Sequence, residues 1–264
     1  MNFQKYQCIA FKREDRVLTV TLNRPDQKNA VNGQLHSELA QVFVDVQRDP
    51  DSDVVILKGS GSAFCAGGDI DWMQSAIDDP AEFERTAREA KDIVFSQLDL
   101  EKPLICQLNG HATGLGATIA LLCDIVIASD KAKIGDPHVS VGLVAGDGGA
   151  LIWPQLIGYA RAKKYLLTGE LMHAQEAERI GLISEVVPFD ALEARVHNMA
   201  TQIAAGATRA IRWTKITTNL PLKALFHAHF DAGIAYECLS NRTPDHAEAV
   251  AAFREKRKPV FAGR

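Results

Sequence analysis

Two stretches of this sequence leave the backbone bare where a helix is about to begin, and such a place can bind an anion. In Asn109-Gly110-His111-Ala112-Thr113-Gly114-Leu115-Gly116-Ala117, three glycines lie between two apolar runs. Leu104, Ile105, Cys106 and Leu108 ahead of it read as a short buried strand. Ile119, Ala120, Leu121 and Leu122 behind it read as a buried helix. The glycines let a ligand approach closely, and the first helical N–H groups, which lack partners inside the helix, point at it. Ala63-Phe64-Cys65-Ala66-Gly67-Gly68-Asp69-Ile70 repeats the arrangement ahead of a helical stretch at 71–76. Two such turns can supply two convergent N–H donors for one substrate oxygen, an oxyanion hole. The same glycines also suit close strand–helix packing, so the turns alone leave a catalytic and a structural reading open.

The other elements read as the frame that positions these turns. Residues 7–11 and 16–22 form a hairpin, which Pro25 ends by fixing its own φ. Leu35, Leu39, Val42, Phe43 and Val46 share one face of a helix, with Asn32 as its N-cap and Pro50 closing the segment. Val54 to Leu57 and Ile125 to Ala128 are apolar runs expected as buried strands. A helix is expected over 81–98, with Phe83, Ala87, Ile93, Val94 and Leu98 inward. Ala145-Gly146-Asp147-Gly148-Gly149 opens a helix that Pro154 should kink or shorten. Asp190-Ala191-Leu192-Glu193 resembles a capping box, Pro221 is expected to start a helix, and Thr243-Pro244 to start the last one. This division gives a core of residues 1–200 and a helical region of 201–264 whose apolar faces can pack on the core or on neighbouring subunits.

Bulk composition narrows the function classes. The chain has 264 residues, 47% of them hydrophobic and 23% charged, which is ordinary for a globular protein. A net charge of −4 argues against a nucleic-acid footprint. Five widely spaced cysteines without a CxxC pair point to a reducing, cytoplasmic setting and to no zinc site. Met1 to Tyr6 lacks a signal pattern, and no stretch reaches the roughly 18 apolar residues of a membrane span.

In its motifs the chain resembles the crotonase superfamily, the enoyl-CoA hydratase/isomerase family, over nearly its whole length. The likeness rests on Asn23-Arg24-Pro25 with Lys28-Asn29-Ala30, on Phe64 to Ile70, and on Asn109-Gly110 through Cys123-Asp124. It extends to Leu167-Thr168-Gly169, to Ala174 and Ala177 with Gly181-Leu182, and to Phe253 through Pro259. The resemblance implies an α/β fold, a spiral of ββα turns with a C-terminal helical oligomerisation region that builds trimers or hexamers. It implies an acyl-CoA substrate, with no cofactor beyond the coenzyme A the substrate carries. No metal site is expected, because His227 and His229 lie on a helix without a histidine partner at i+4. The resemblance assigns the two oxyanion donors to the N–H groups of Gly68 and Leu115. It places coenzyme A against Lys28, Ala30, Ala66, Asp69 and Ile70. The wall that sets acyl length and shape is expected at Trp72, Met73 and the 81–98 helix.

The chain departs from the family pattern where the hydratases carry two glutamates. The first position is Thr118 and the second is His138. A histidine can act as a general base near neutral pH; a threonine cannot. His138 lies nine residues before Asp147, and a carboxylate that orients a histidine is the base–orienter half of a triad. This pair is similar to that of the 6-oxocamphor hydrolase branch, β-diketone hydrolases that cleave a carbon–carbon bond by attack of water, and Glu237 can match a third acid there. Asp147 also suits a helix cap and His138 a structural place after Pro137. The expectation is an acyl-CoA enzyme with His138, oriented by Asp147, as its acid/base; the alternatives are a β-diketone hydrolase that does not use coenzyme A, and a family member without catalysis.

Overall fold

The computed structural model describes residues 3–263, without the side chains of Pro80 and Glu84; Met1 and Asn2 of the N-terminal stretch read above lie outside the described residues. The hairpin forms from β1 (Ile9–Glu14) and β2 (Val17–Leu22), with Ile9 opposite Leu22 and Glu14 opposite Val17. Asn32 caps α1 (Gly33–Arg48), its side chain accepting the Leu35 N–H at 3.0 Å.

From there the chain winds in repeating turns. Each turn gives one strand to a large sheet, the next to a small sheet, and then helix. β3 (Val54–Gly59) and β4 (Ala63–Cys65) precede α2 (Ile70–Asp78) and α3 (Pro80–Asp99). β5 (Leu104–Leu108) and β6 (His111–Thr113) precede α4 (Leu115–Leu121). β7 (Ile125–Ser129) and β8 (Lys133–Gly135) precede a 3-10 turn at His138–Val141, then α5 (Gly149–Ile157) and α6 (Tyr159–Thr168). β9 (Met172–His173), α7 (Ala174–Arg179) and β10 (Glu185–Val187) complete two sheets, ordered β1-β2-β3-β5-β7-β10 and β4-β6-β8-β9. This is the spiral of ββα turns. Its consequence for the site is direct: β4 and β6 are parallel neighbours, so the glycine turns that follow them emerge side by side at one edge of the small sheet.

The core follows from strand alternation. In β3, Val55 and Leu57 face the main core, while Val54 and Ile56 face the opposite side with Ile105 and Ile127. Leu192, Val196 and Ala200 of α8 (Phe189–Ala204) cover that second side. The division drawn between residues 200 and 201 thus falls inside α8. The capping-box reading is corrected here: Asp190 lies in the first turn, and the Phe189 N–H donates to Asp130 Oδ1 instead, at 3.0 Å. A partner distant in sequence has taken the role expected of a local one.

Pro221 does not start a helix. It lies within α9 (Thr208–Asn241), one element of 34 residues. The hydrogen bond lost at a helical proline is offset by anchors on both sides of it. Lys215 Nζ pairs with Asp124 at 2.8 Å and donates to the Lys102 carbonyl at 2.8 Å, while Phe226 and Phe230 sit in the main core. Pro154 lies inside α5, which runs three residues past it to Ile157, and Gly158, at positive φ, ends the helix before α6. α10 (Pro244–Arg254) is capped by Thr243, which accepts the His246 N–H. A Cβ on Gly146 would stand 2.2 Å from the Gly233 carbonyl oxygen, so the turn ahead of α5 touches the α9 backbone directly. That contact brings Glu237 of α9 against the spiral. No helix of the described residues is long and apolar enough to cross a membrane.

Candidate active site

The glycine turns are held by side chains from the motifs around them. Asn109 is buried, accepts the Gly59 N–H at 3.0 Å, and donates to the carbonyls of Gly61 and Ala63 at 3.2 Å each. Asn29 donates to the Ser60 and Ala63 carbonyls at 2.9 Å each. Arg24 donates to the Ala30 carbonyl and pairs with Asp69 at 3.2 Å. The Asn-Arg-Pro segment therefore braces the first turn from below. Gly68 sits in an isolated bridge with Val31 that uses the Gly67 carbonyl and the Asp69 N–H, not its own N–H. Leu115 is the first residue of α4 and has no intrahelical acceptor. Among the described residues neither N–H meets an acceptor, and both residues line one cavity with His138.

The acid–base cluster differs from its sequence reading in one respect. The carboxylate on His138 is that of Asp136: its Oδ1 is hydrogen-bonded to Nδ1. Asp147 lies on the other side of the ring, with Oδ2 3.7 Å from Nε2, too long for a hydrogen bond. Asp136 escaped the sequence reading although it is only two residues away. The signal was the intervening Pro137, which turns the chain so that Asp136 also faces the His138 N–H, at 3.4 Å. A carboxylate can only accept, so Nδ1 carries the proton and Nε2 is the nitrogen that faces the cavity with its lone pair when the ring is neutral. Asp147 Oδ1 takes the Thr118 hydroxyl at 3.2 Å and the Gly149 N–H at 3.3 Å. A carboxyl thus stands beside position 118 after all, delivered from a different segment.

Burial sets the charges of these groups. Burial alone would lower the His138 pKa, but the neighbouring carboxyl groups, Asp136 first, prevail and hold it well above the ordinary imidazole range. Burial raises Asp147 above the usual carboxylate range against the opposing pull of His138. Burial, opposed by His138 and reinforced by Asp147 and Asp136, pushes Glu237 up to about 8. The cluster is therefore rich in protons that can move. Asp136, His138 and Asp147 also bring three potential metal-ligand atoms within 4.8 Å of one another.

The cavity has two parts. In the inner part Gly68, Leu115, His138, Asp147 and Glu237 face an apolar wall of Trp72, Met73, Phe83, Ala90, Leu143 and Ile234. Trp72, Met73 and the α3 face were expected there, and of the α9 residues only Glu237 was. The outer part is a groove lined by Lys28, Ala30, Ala66, Asp69 and Ile70, and it shares Gly68, Met73 and His138 with the inner part. Elsewhere, His111 is exposed on β6, His227 packs tilted against Phe95 at 4.5 Å, and Arg257 is tied to Glu248 at 2.8 Å.

A Cβ on Gly149 would lie 1.9 Å from Asp136 Oδ2. Gly149→Ala is therefore expected to displace Asp136 and tilt His138, costing about 1–3 kcal/mol of stability by overpacking and a larger share of activity. A thermal melt beside a turnover assay checks this: wild-type turnover in the variant would mean that the Asp136 position does not matter.

Comparison with known proteins agrees with this architecture. Residues 12–264 match the family model for enoyl-CoA hydratase/isomerase. A 1,2-epoxyphenylacetyl-CoA isomerase of Escherichia coli is 34% identical over 95% of this chain and 97% of its own. The crystal structure of an enoyl-CoA hydratase/isomerase from Mycobacterium paratuberculosis superposes with a TM-score of 0.89 at 35% identity, covering 92% of this chain and 97% of the other. A β-diketone hydrolase from the cyanobacterium Anabaena, bound to (S)-3-oxocyclohexyl acetic acid, superposes with a TM-score of 0.85 at 32% identity, covering 91% and 96%. The chain belongs to the enoyl-CoA hydratase/isomerase family and has the crotonase fold.

Proposed function

We propose that this protein acts on an acyl-CoA thioester through an enolate. The observation that carries the reading is the pair of adjoining cavities: the five residues expected to hold coenzyme A line one groove, and that groove shares Gly68 and His138 with an apolar inner chamber. Coenzyme A lies in the outer groove against Lys28, Ala30, Ala66, Asp69 and Ile70, and the acyl group enters the chamber. The Gly68 and Leu115 N–H groups stabilise the thioester oxygen as negative charge develops, a contribution worth about 10²–10³-fold per donor in comparable sites. His138 Nε2, fixed by Asp136, takes a proton from the α-carbon or from water. Asp147, held on Thr118, returns one. The two together do the work of the two missing glutamates, and no cofactor is needed beyond the coenzyme A of the substrate. Exposed Trp213, Leu220, Tyr236 and Leu239 on α9 supply an apolar surface for assembly into trimers or hexamers from a 201–264 helical region, in a cytoplasmic setting.

Calorimetric titration with acetoacetyl-CoA tests the reading, with wild type and His138→Ala in parallel. Both are expected to bind. Failure of both to bind would overturn it in favour of a second reading, a β-diketone hydrolase that does not use coenzyme A, which the nine-residue His138–Asp147 spacing and the likeness to the Anabaena hydrolase support.

A further inference from the structure

The wall of the inner chamber built by α9 and α10 carries polar atoms that the proton chemistry of His138 and Asp147 does not use. Glu237 and Asn241 lie one turn apart on the same face of α9, and His246 lies in the first turn of α10. All three line the chamber, and they are 8%, 4% and 0% exposed. Each has a buried atom without a partner among the described residues: Glu237 Oε2, Asn241 Oδ1 and His246 Nε2. Buried polar atoms are almost always paired, so three unpaired ones around a single cavity mark a place where another molecule supplies the bonds.

The remaining contacts of these side chains fix what each free atom can do. His246 Nδ1 lies 2.6 Å from the Val141 carbonyl oxygen and must donate to it, so Nε2 is a bare acceptor. Burial holds this imidazole below its ordinary range and so in its neutral form. Asn241 uses Nδ2 on the Ala76 carbonyl at 3.1 Å, which leaves Oδ1 as a second acceptor. Burial pushes Glu237 up to about 8, so at neutral pH it is mostly a carboxylic acid with a proton to donate. The wall therefore offers two acceptors and one donor. A carboxylate has no proton for the acceptors, an ammonium has no lone pair for the Glu237 proton, and a hydrocarbon leaves all three unpaired. A hydroxyl takes the Glu237 proton and gives its own to one of the two acceptors.

We propose that Glu237, Asn241 and His246 form a subsite for a hydroxyl carried by the acyl group, so that the chamber selects hydroxylated acyl groups over their hydrocarbon counterparts. The inference rests on the acyl-CoA reading, because it takes the inner chamber as the acyl site. The test is calorimetric titration of the full-length protein with butyryl-, hexanoyl- and octanoyl-CoA and with the same three thioesters bearing a terminal hydroxyl. The hydroxylated member of at least one pair is expected to bind about tenfold more tightly, which corresponds to about 1.4 kcal/mol. Asn241→Leu is expected to cut that advantage to less than about threefold. Equal or weaker binding of the hydroxylated member in every pair overturns the subsite and leaves the acyl-CoA reading standing, whether or not the variant folds. An advantage undiminished in a folded Asn241→Leu protein overturns the residue assignment. No binding by any of the six overturns both.

Discussion

Replacing His138 with alanine is expected to slow proton transfer on an acyl-CoA by about 10²–10⁴-fold, the range that a positioned general acid–base contributes. Thioester affinity should stay within about tenfold of wild type, because the outer groove draws on the ring only at its inner end. This split between chemistry and binding is what separates a catalytic His138 from a structural one. A structural histidine would lose both together, through a lower melting temperature.

The second large effect is expected from Asp136→Asn. The carboxylate holds the Nδ1 proton and thereby leaves Nε2 as the working nitrogen. An amide in its place can donate to Nδ1 and force the proton onto Nε2, the wrong tautomer for a base, so kcat should fall by about 10²-fold or more. The pH profile should move as well. Burial works to lower the His138 pKa, but Asp136, first among the neighbouring carboxyl groups, raises it well above the ordinary value. The proton on His138 is therefore lost at higher pH than usual. In wild type kcat/KM should rise with pH, along an acid limb that lies above about 6.5. Removing the Asp136 charge should shift that limb to lower pH even as the plateau falls. A pH–rate profile with an unshifted limb would show that Asp136 does not set the charge of the ring.

Much of the fold was legible in the chain, and the reasons are local. Valine and isoleucine runs at β3 and β7 could hardly be other than buried strands, and Asn32 announces α1 through a cap that needs no distant partner. The two glycine turns were legible as a pair because the sequence repeats strand, turn and helix. That they emerge side by side follows from the parallel pairing of β4 with β6, which periodicity does not encode. The acid–base cluster was half legible. His138 and Asp147 stood out as departures from a family pattern, yet the contact on Nδ1 belongs to Asp136, since pairing across Pro137 depends on the turn geometry and not on spacing. Pro221 misled for the opposite reason: a local helix breaker was overruled by Lys215, Phe226 and Phe230, whose anchoring is tertiary. Of the polar wall, only Glu237 was read into the site; Asn241 and His246 were not.

The central claim is that this site makes an enolate of an acyl-CoA and that His138 moves the proton. Incorporation of solvent deuterium at the α-carbon of butyryl-CoA, followed by NMR in deuterium oxide, tests it without knowledge of the natural acyl group. Exchange is expected with wild type, and its loss with His138→Ala, at concentrations where both proteins bind the thioester. Equal exchange by the two proteins, or none by a wild type saturated with butyryl-CoA, would contradict it.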